Sequence, residues 1–187
     1  TTDGGKSWDR ILHIDEDTGV NEFVMDPANP DIIVASSYQR RRHVWTLING
    51  GPGSGIHKTS DGGKTWRKIS KGVPGGDLGR IGIAMAPSQP NLLYSIIEAD
   101  DAGKGVYRST DFGESWEKRS GHMTTSPQYY NELFVDPNNA DVVYSVDTFT
   151  NRSDDGGKTW TRLSIESRHV DDHALWIDPD NSDHLFI

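Results

Sequence analysis

The sequence predicts an all-β fold of repeated four-stranded antiparallel units, and three observations carry that prediction. The first is an eight-residue string, Ser/Thr-x-Asp-x-Gly-x-Ser/Thr-Trp, which occurs four times, at residues 1–8, 59–66, 109–116 and 153–160. The second is a pair of short apolar runs joined by a Pro/Asn/Asp cluster, found at residues 23–34 and again at 83–94, 133–144 and 175–186. The third is composition: 20 glycines and 9 prolines among 187 residues, with 33% hydrophobic residues, suit many short strands joined by tight turns.

Each apolar pair reads as a β-hairpin, whose strands are A and B, because the Pro/Asn/Asp cluster between them has turn chemistry. The Asp-bearing string then joins strand C, ending near residues 55–60, to strand D, beginning near residues 65–70. Within that turn the Asp carboxylate is suited to accept backbone N–H groups, and Gly supplies a positive φ that a residue with a Cβ tolerates poorly. The pairs Asp3/Trp8, Asp61/Trp66, Asp111/Trp116 and Asp155/Trp160 are therefore read as structural, with each Trp free to pack between neighbouring sheets.

Successive string aspartates lie 58, 50 and 44 residues apart, close to the roughly 40 to 50 residues of one propeller blade. The shrinkage follows the segment between strands B and C, which is long at 38–54, shorter at 100–104 and almost absent at 148–151. The sequence thus predicts one partial β-propeller over 1–187: the end of a blade at 1–12, full blades at 21–71, 80–120 and 131–165, and the start of another at 173–187. It is expected to be a segment of a larger propeller, with the remaining blades on the same or another chain.

The net charge of -9 argues against a general nucleic-acid surface, since neutralising phosphates needs clustered Lys and Arg, and residues 40–42 form the one basic run. With no cysteine there is neither a disulfide nor a thiol nucleophile. No apolar stretch approaches the roughly 18 residues of a membrane span, and no motif calls for a cofactor.

The four strings and the "DPxNPD" hairpins resemble the Asp-box, or BNR, repeats of sialidase-type and sortilin-type β-propellers. More closely, residues 39–66 ("QRRRHVWTLINGGPGSGIHKTSDGGKTW") and 173–183 ("HALWIDPDNSD") resemble large bacterial sortilin-like BNR proteins, often labelled glycosyl hydrolases. The resemblance implies that the A–B and C–D turns share one face, while the D–A and B–C loops share the other and hold the ligand. It also implies an extracellular or periplasmic location and a protein, peptide or carbohydrate ligand. The same repeat serves both glycosidases and binding proteins. A non-catalytic binding or scaffolding propeller is the first expectation; a glycoside hydrolase using carboxylates at the channel mouth is the alternative.

Candidate site residues follow from aligning the repeats on strand A. One column holds Asn21, Ile81, Asn131 and His173, and the column before it holds Val20, Arg80, Tyr130 and Asp172. Strand A is innermost in a propeller, so these positions are expected to ring the channel mouth. Their variety contrasts with the uniform boxes and favours a ligand-facing role over a merely solvated lining. In residues 167–173 the alternation of His169, Asp171 and His173 puts them on one face of an extended chain. That set suits a zinc or manganese ion, a His–Asp acid/base pair, or a hydrogen-bonded loop.

The long B–C segment carries Arg40, Arg42 and Trp45, cations and a stacking surface for an anionic or carbohydrate ligand. For catalysis the carboxylates Glu132, Asp171 and Asp172 and the imidazole of His173 are the candidates. Arg40, Arg80, Tyr129, Tyr130 and Glu132 are the residue types of sialidase chemistry, but the Phe/Tyr-Arg-Ile-Pro motif is missing. Residues 178–183 partly mimic a calcium loop yet lack its sixth-position glycine and coincide with an A–B turn. Residues 151–153 are a glycosylation sequon in form only.

Overall fold

The computed structural model describes residues 1–187, and every regular element in it is a strand. The first sheet joins β1 (Thr18–Met25), β2 (Ile33–His43), β4 (Gly55–Thr59) and β5 (Arg67–Ile69), with β3 (Thr46–Asn49) added to the far end of β2. The second joins β6 (Ile81–Ala86), β7 (Gln89–Ile97), β8 (Gly105–Ser109) and β9 (Glu117–Ser120). The third joins β10 (Glu132–Val135), β11 (Val143–Val146), β12 (Asn151–Ser153) and β13 (Thr161–Arg162), and β14 (Trp176–Asp178) pairs with β15 (Asn181–Phe186). All pairings are antiparallel and, apart from β2 with β4 across the inserted β3, join chain neighbours, so each sheet is a meander.

The first strands, β1, β6 and β10, lie against one another across the sheets, which makes strand A innermost. Strand alternation then supplies a core to both sides of a blade, since successive side chains point to opposite faces. On β7, Leu93 and Ile97 pack toward the first sheet with Ile56, Ile69 and Trp116, while Tyr94 and Ile96 pack toward the third with Leu133 and Val143. Leu175 and Ile177 continue the pattern against Tyr144 and Val146.

A cation three residues before the box Asp of each of the three full sheets lies at the blade edge. Lys58 Nζ donates to Phe112 O at 2.8 Å and meets Glu114 at 2.8 Å, and Arg108 meets Asp141 at 3.2 Å, each bridging to the next sheet. Arg152, in the same position, pairs with Asp154 of its own sheet.

The boxes close by the bonds their residues imply. Asp61 accepts Thr65 N at 2.9 Å and Thr65 Oγ1 at 2.7 Å, Thr59 Oγ1 accepts Gly63 N at 3.0 Å, and Trp66 Nε1 donates to Gly63 O at 3.2 Å. Asp3 and Asp155 repeat the set. These donors hold Asp3 and Asp61 down to about 2, with the Ser7 N–H and the Thr65 hydroxyl as the leading causes. The box of the second sheet departs: Phe112 stands at φ 54 where the other boxes have Gly, and the buried Trp116 Nε1 lacks the bond to its own turn.

Gly62 N donates to Asp31 O, Phe112 N to Asn91 O, and Gly156 N to Asp141 O, so each box sits beside the A–B turn of its own sheet. The B–C segment at 38–54 is no irregular loop: β2 runs on to His43 and returns as β3, an antiparallel arm in which Arg40 pairs with Asn49 and His43 with Thr46. Residues 1–17 form no strand, and although the first box is bonded internally, Trp8 stays 77% exposed because no sheet lies beside it.

Candidate functional site

The inner ends of β1, β6 and β10 meet at the channel mouth. Asn21, Glu22, Phe23, Arg80, Ile83, Glu132 and Leu133 border a shallow pocket there of about 360 Å³. Arg80 is its hub: Nη2 lies 2.7 Å from Glu132 and 3.9 Å from Glu22, while Nη1 donates to Tyr129 O at 2.8 Å. Glu22 Oε2 accepts Ile83 N at 2.7 Å, but Oε1 is buried without a hydrogen-bond partner. Burial, with Glu132 adding repulsion, pushes the Glu22 carboxyl up to about 7 against the pull of the Ile83 N–H and Arg80.

Glu22 was not among the residues singled out from sequence, although a signal was present. Asn21-Glu22-Phe23 and Asn131-Glu132-Leu133 repeat the same Asn-Glu-apolar triplet, two blades apart. Gly82 stands between the two glutamates in the alignment, and a Cβ there would come within 2.0 Å of Asn131 O.

Several predicted site residues are committed to the fold instead. Asn131 is fully buried, donating to Arg80 O at 2.9 Å and accepting Thr124 Oγ1 at 2.7 Å, so it joins two blades and is not a ligand group. Asn21 borders the pocket, yet its amide donates to Ile81 O at 3.2 Å, beside Ser36 Oγ at 2.8 Å from the same carbonyl. Asp172 is buried and accepts from Thr150 Oγ1 and Arg168, which leaves it no catalytic access.

His169, Asp171 and His173 are not gathered into a metal-binding group. The extended backbone that the alternation presumed is broken by Asp171 at φ 83, and His169 Nδ1 turns onto Val170 O in its own loop. Asp171 instead takes the Tyr130 hydroxyl and lies 3.4 Å from His173, whose ring stacks on Tyr130 at 4.9 Å. The Tyr130 hydroxyl leads in holding Asp171 below the usual carboxylate range, with His173 and His169 adding to it, and the same bond raises Tyr130.

The B–C arm leans over the second sheet. Asn49 donates to Glu98 at 2.9 Å, Gly51 N to Leu78 O at 3.0 Å, and Arg42 Nη1 reaches the Tyr129 hydroxyl at 3.2 Å. Arg41, in the same basic run, is ion-paired with Asp17. Arg40 borders a second small pocket with Asn21 and Tyr38. At the tip Trp45 is 82% exposed and stacks on His43 at 5.3 Å. The exposed face therefore carries Trp45, Arg42, Tyr129 and His173, whereas Tyr130, expected to face a ligand, is buried beneath the His173 ring.

Four-stranded antiparallel meanders whose first strands face a common centre define a β-propeller. A family description, "BNR/Asp-box repeat", matches residues 107–118 and 152–162, and the chain is a BNR/Asp-box repeat propeller. No curated protein matches it in sequence. Among solved structures it is similar to a GH74 enzyme of Niastella koreensis (21% identity, TM-score 0.54, 79% of this chain and 23% of that one). It is also similar to the GH74 xyloglucanase of Xanthomonas campestris (19%, 0.53, 80% and 24%) and to YCF48 bound to D1 peptide (15%, 0.53, 85% and 44%). The chain thus spans less than half the length of each.

Proposed function

We propose that this chain is part of a non-catalytic binding propeller of the sortilin-like kind, which holds a protein, peptide or glycan across the B–C arm and the D–A loops. The observation that carries this reading is the position of Arg80. Its Nη2 lies 3.9 Å from one Glu22 oxygen and 2.7 Å from one Glu132 oxygen, so those oxygens are at most 6.6 Å apart and one guanidinium engages both. Paired glycosidase carboxylates need that space for the anomeric carbon and, in inverting enzymes, for a water. Here a cation is ion-paired with both carboxylates, while the aromatic and cationic groups of the arm stand open to solvent. Among proteins of like fold, one is a peptide complex and others are glycoside hydrolases, so both activities belong in the test.

The test pairs a peptide and glycan array with a hydrolysis assay. Wild-type chain should retain a ligand from one class, and Trp45→Ala with Arg42→Ala should weaken it by about tenfold or more while leaving the melting temperature unchanged. Release of sugar from a β-glucan or sialoside, abolished by Glu132→Gln, would establish the hydrolase reading instead.

The partner list extends to further blades. Phe23 is 62% exposed, whereas its counterparts Ile83 and Leu133 are buried between sheets, and with Ile11, Met25 and Trp66 it borders an open apolar cavity of about 510 Å³. A blade of the same or another chain covers this face in our reading, because apolar patches of such extent are otherwise left to water.

A further inference from the structure

At the outer edge of the second sheet, beside β9, lies a cavity of about 430 Å³ whose lining includes Lys71, Arg108, Trp116 and Arg119 and one carboxylate, Glu117. It is remote in the fold from the channel mouth, which the innermost strands form. We propose that it is a binding site for a tetrahedral oxyanion, a phosphate or sulfate group, carried on a larger molecule such as a sugar.

Charge is the first argument. Three cations converge on one cavity of a chain whose net charge is -9. Their neutralisation is partial: Arg108 meets Asp141 at 3.2 Å, Arg119 meets Glu117 at 3.7 Å, and Lys71 makes no ion pair. Arg119 Nε donates to Gly156 O at 3.0 Å, which fixes the guanidinium between the second and third sheets. Fixed guanidinium groups suit an oxyanion because their N–H groups lie in a rigid plane matched to its oxygens.

The second argument is unmet hydrogen bonding. In three boxes the Trp Nε1 donates to the glycine carbonyl of its own turn at 3.2 Å. Trp116 does not: it is 5% exposed, borders this cavity, and its Nε1 has no partner. Arg108 Nε is buried and unpartnered beside it. Buried donors in folded proteins are nearly always paired, so an unpartnered one in a cavity wall calls for an explanation, and a bound ion is one that fits here. The Trp116 indole and the Arg108 guanidinium thus lie in the wall of a cavity where three cations outnumber one carboxylate, a setting that suits an anionic acceptor. The volume is within the range of small-molecule pockets and exceeds what one bare oxyanion fills.

Indole ¹⁵N–¹H spectra of the whole chain, with Trp116→Phe used to assign the Trp116 resonance, provide the test. Sodium sulfate, sodium phosphate, a sulfated disaccharide and the same disaccharide without sulfate are titrated at constant ionic strength. The charged probes should shift the Trp116 resonance saturably while Trp66 and Trp160 stay still. Lys71→Gln and Arg119→Gln should each weaken the effect about tenfold, as loss of one charge-assisted contact implies. Tighter binding of the sulfated disaccharide than of sulfate identifies the anion as carried on a sugar, and equal binding identifies a free ion. An unsaturable response to all charged probes overturns the site, as does the same shift from the neutral disaccharide or from the Lys71→Gln/Arg119→Gln double variant.

Discussion

The boxes and the inner ends of the A strands both recur through the chain, but they answer to different physics. Three of the four boxes make the same set of bonds, because Asp, Gly, Ser/Thr and Trp in that spacing satisfy one another within a single turn. The A-strand ends differ in what they meet: Asn21 and Asn131 donate to the adjacent carbonyls of Ile81 and Arg80, but one at the rim and one fully buried, Arg80 pairs with two glutamates, and His173 stacks on Tyr130. A motif that closes on itself repeats its structure, whereas a position that meets a neighbouring blade takes its role from that neighbour.

The largest effect that would break the comparison comes from the box tryptophans. Trp116→Ala should cost about 3 to 5 kcal/mol, as removal of a buried aromatic does, and Trp8→Ala should stay within about 0.5 kcal/mol, as for an exposed side chain. Urea unfolding of both variants checks this. Equal losses would mean that the box bonds, and not packing between sheets, set the contribution of the Trp.

Glu22 comes next. Its carboxyl is raised from 4.5 to about 7 in the folded chain, so the folded state binds its proton more tightly than the unfolded state. That stability is fully present below about pH 4.5 and is lost as pH rises through about 7, by up to about 3 kcal/mol. Glu22→Gln should flatten the stability profile across this window, and an unchanged slope would place the titration elsewhere.

A smaller effect is expected at Asn131. Replacing it by Ala leaves Arg80 O and Thr124 Oγ1 without their partner and should cost about 2 kcal/mol. The corresponding Asn21→Ala, at a partly exposed amide, should cost less. Chemical denaturation of the pair ranks a buried clamp between blades against one at the rim of the pocket.

Much of this was legible beforehand. The strands, the turns between them and the box bonds follow from local spacing, and the predicted innermost place of strand A agrees with the contacts of β1, β6 and β10. The strand character of the arm has no signal in sequence, since Arg40-Arg41-Arg42 shows no apolar alternation; it comes from pairing with β3. Of the readings open for His169, Asp171 and His173, the hydrogen-bonded loop is the one the structure forms: Asp171 has a positive φ and meets Tyr130 and His173, while His169 turns onto its own loop.

What the sequence determined by itself is thus the blade: four strands, their order and the turn that joins the last two, since each depends on residues a few positions apart. Only the tertiary structure decided which polar groups remain available. Asn131 and Asp172 were spent on burial, Glu22 was brought beside Arg80 from 58 residues away, and Trp116 was turned from its own box. Burial and pairing across blades set these outcomes, and they depend on neighbours that no local pattern names.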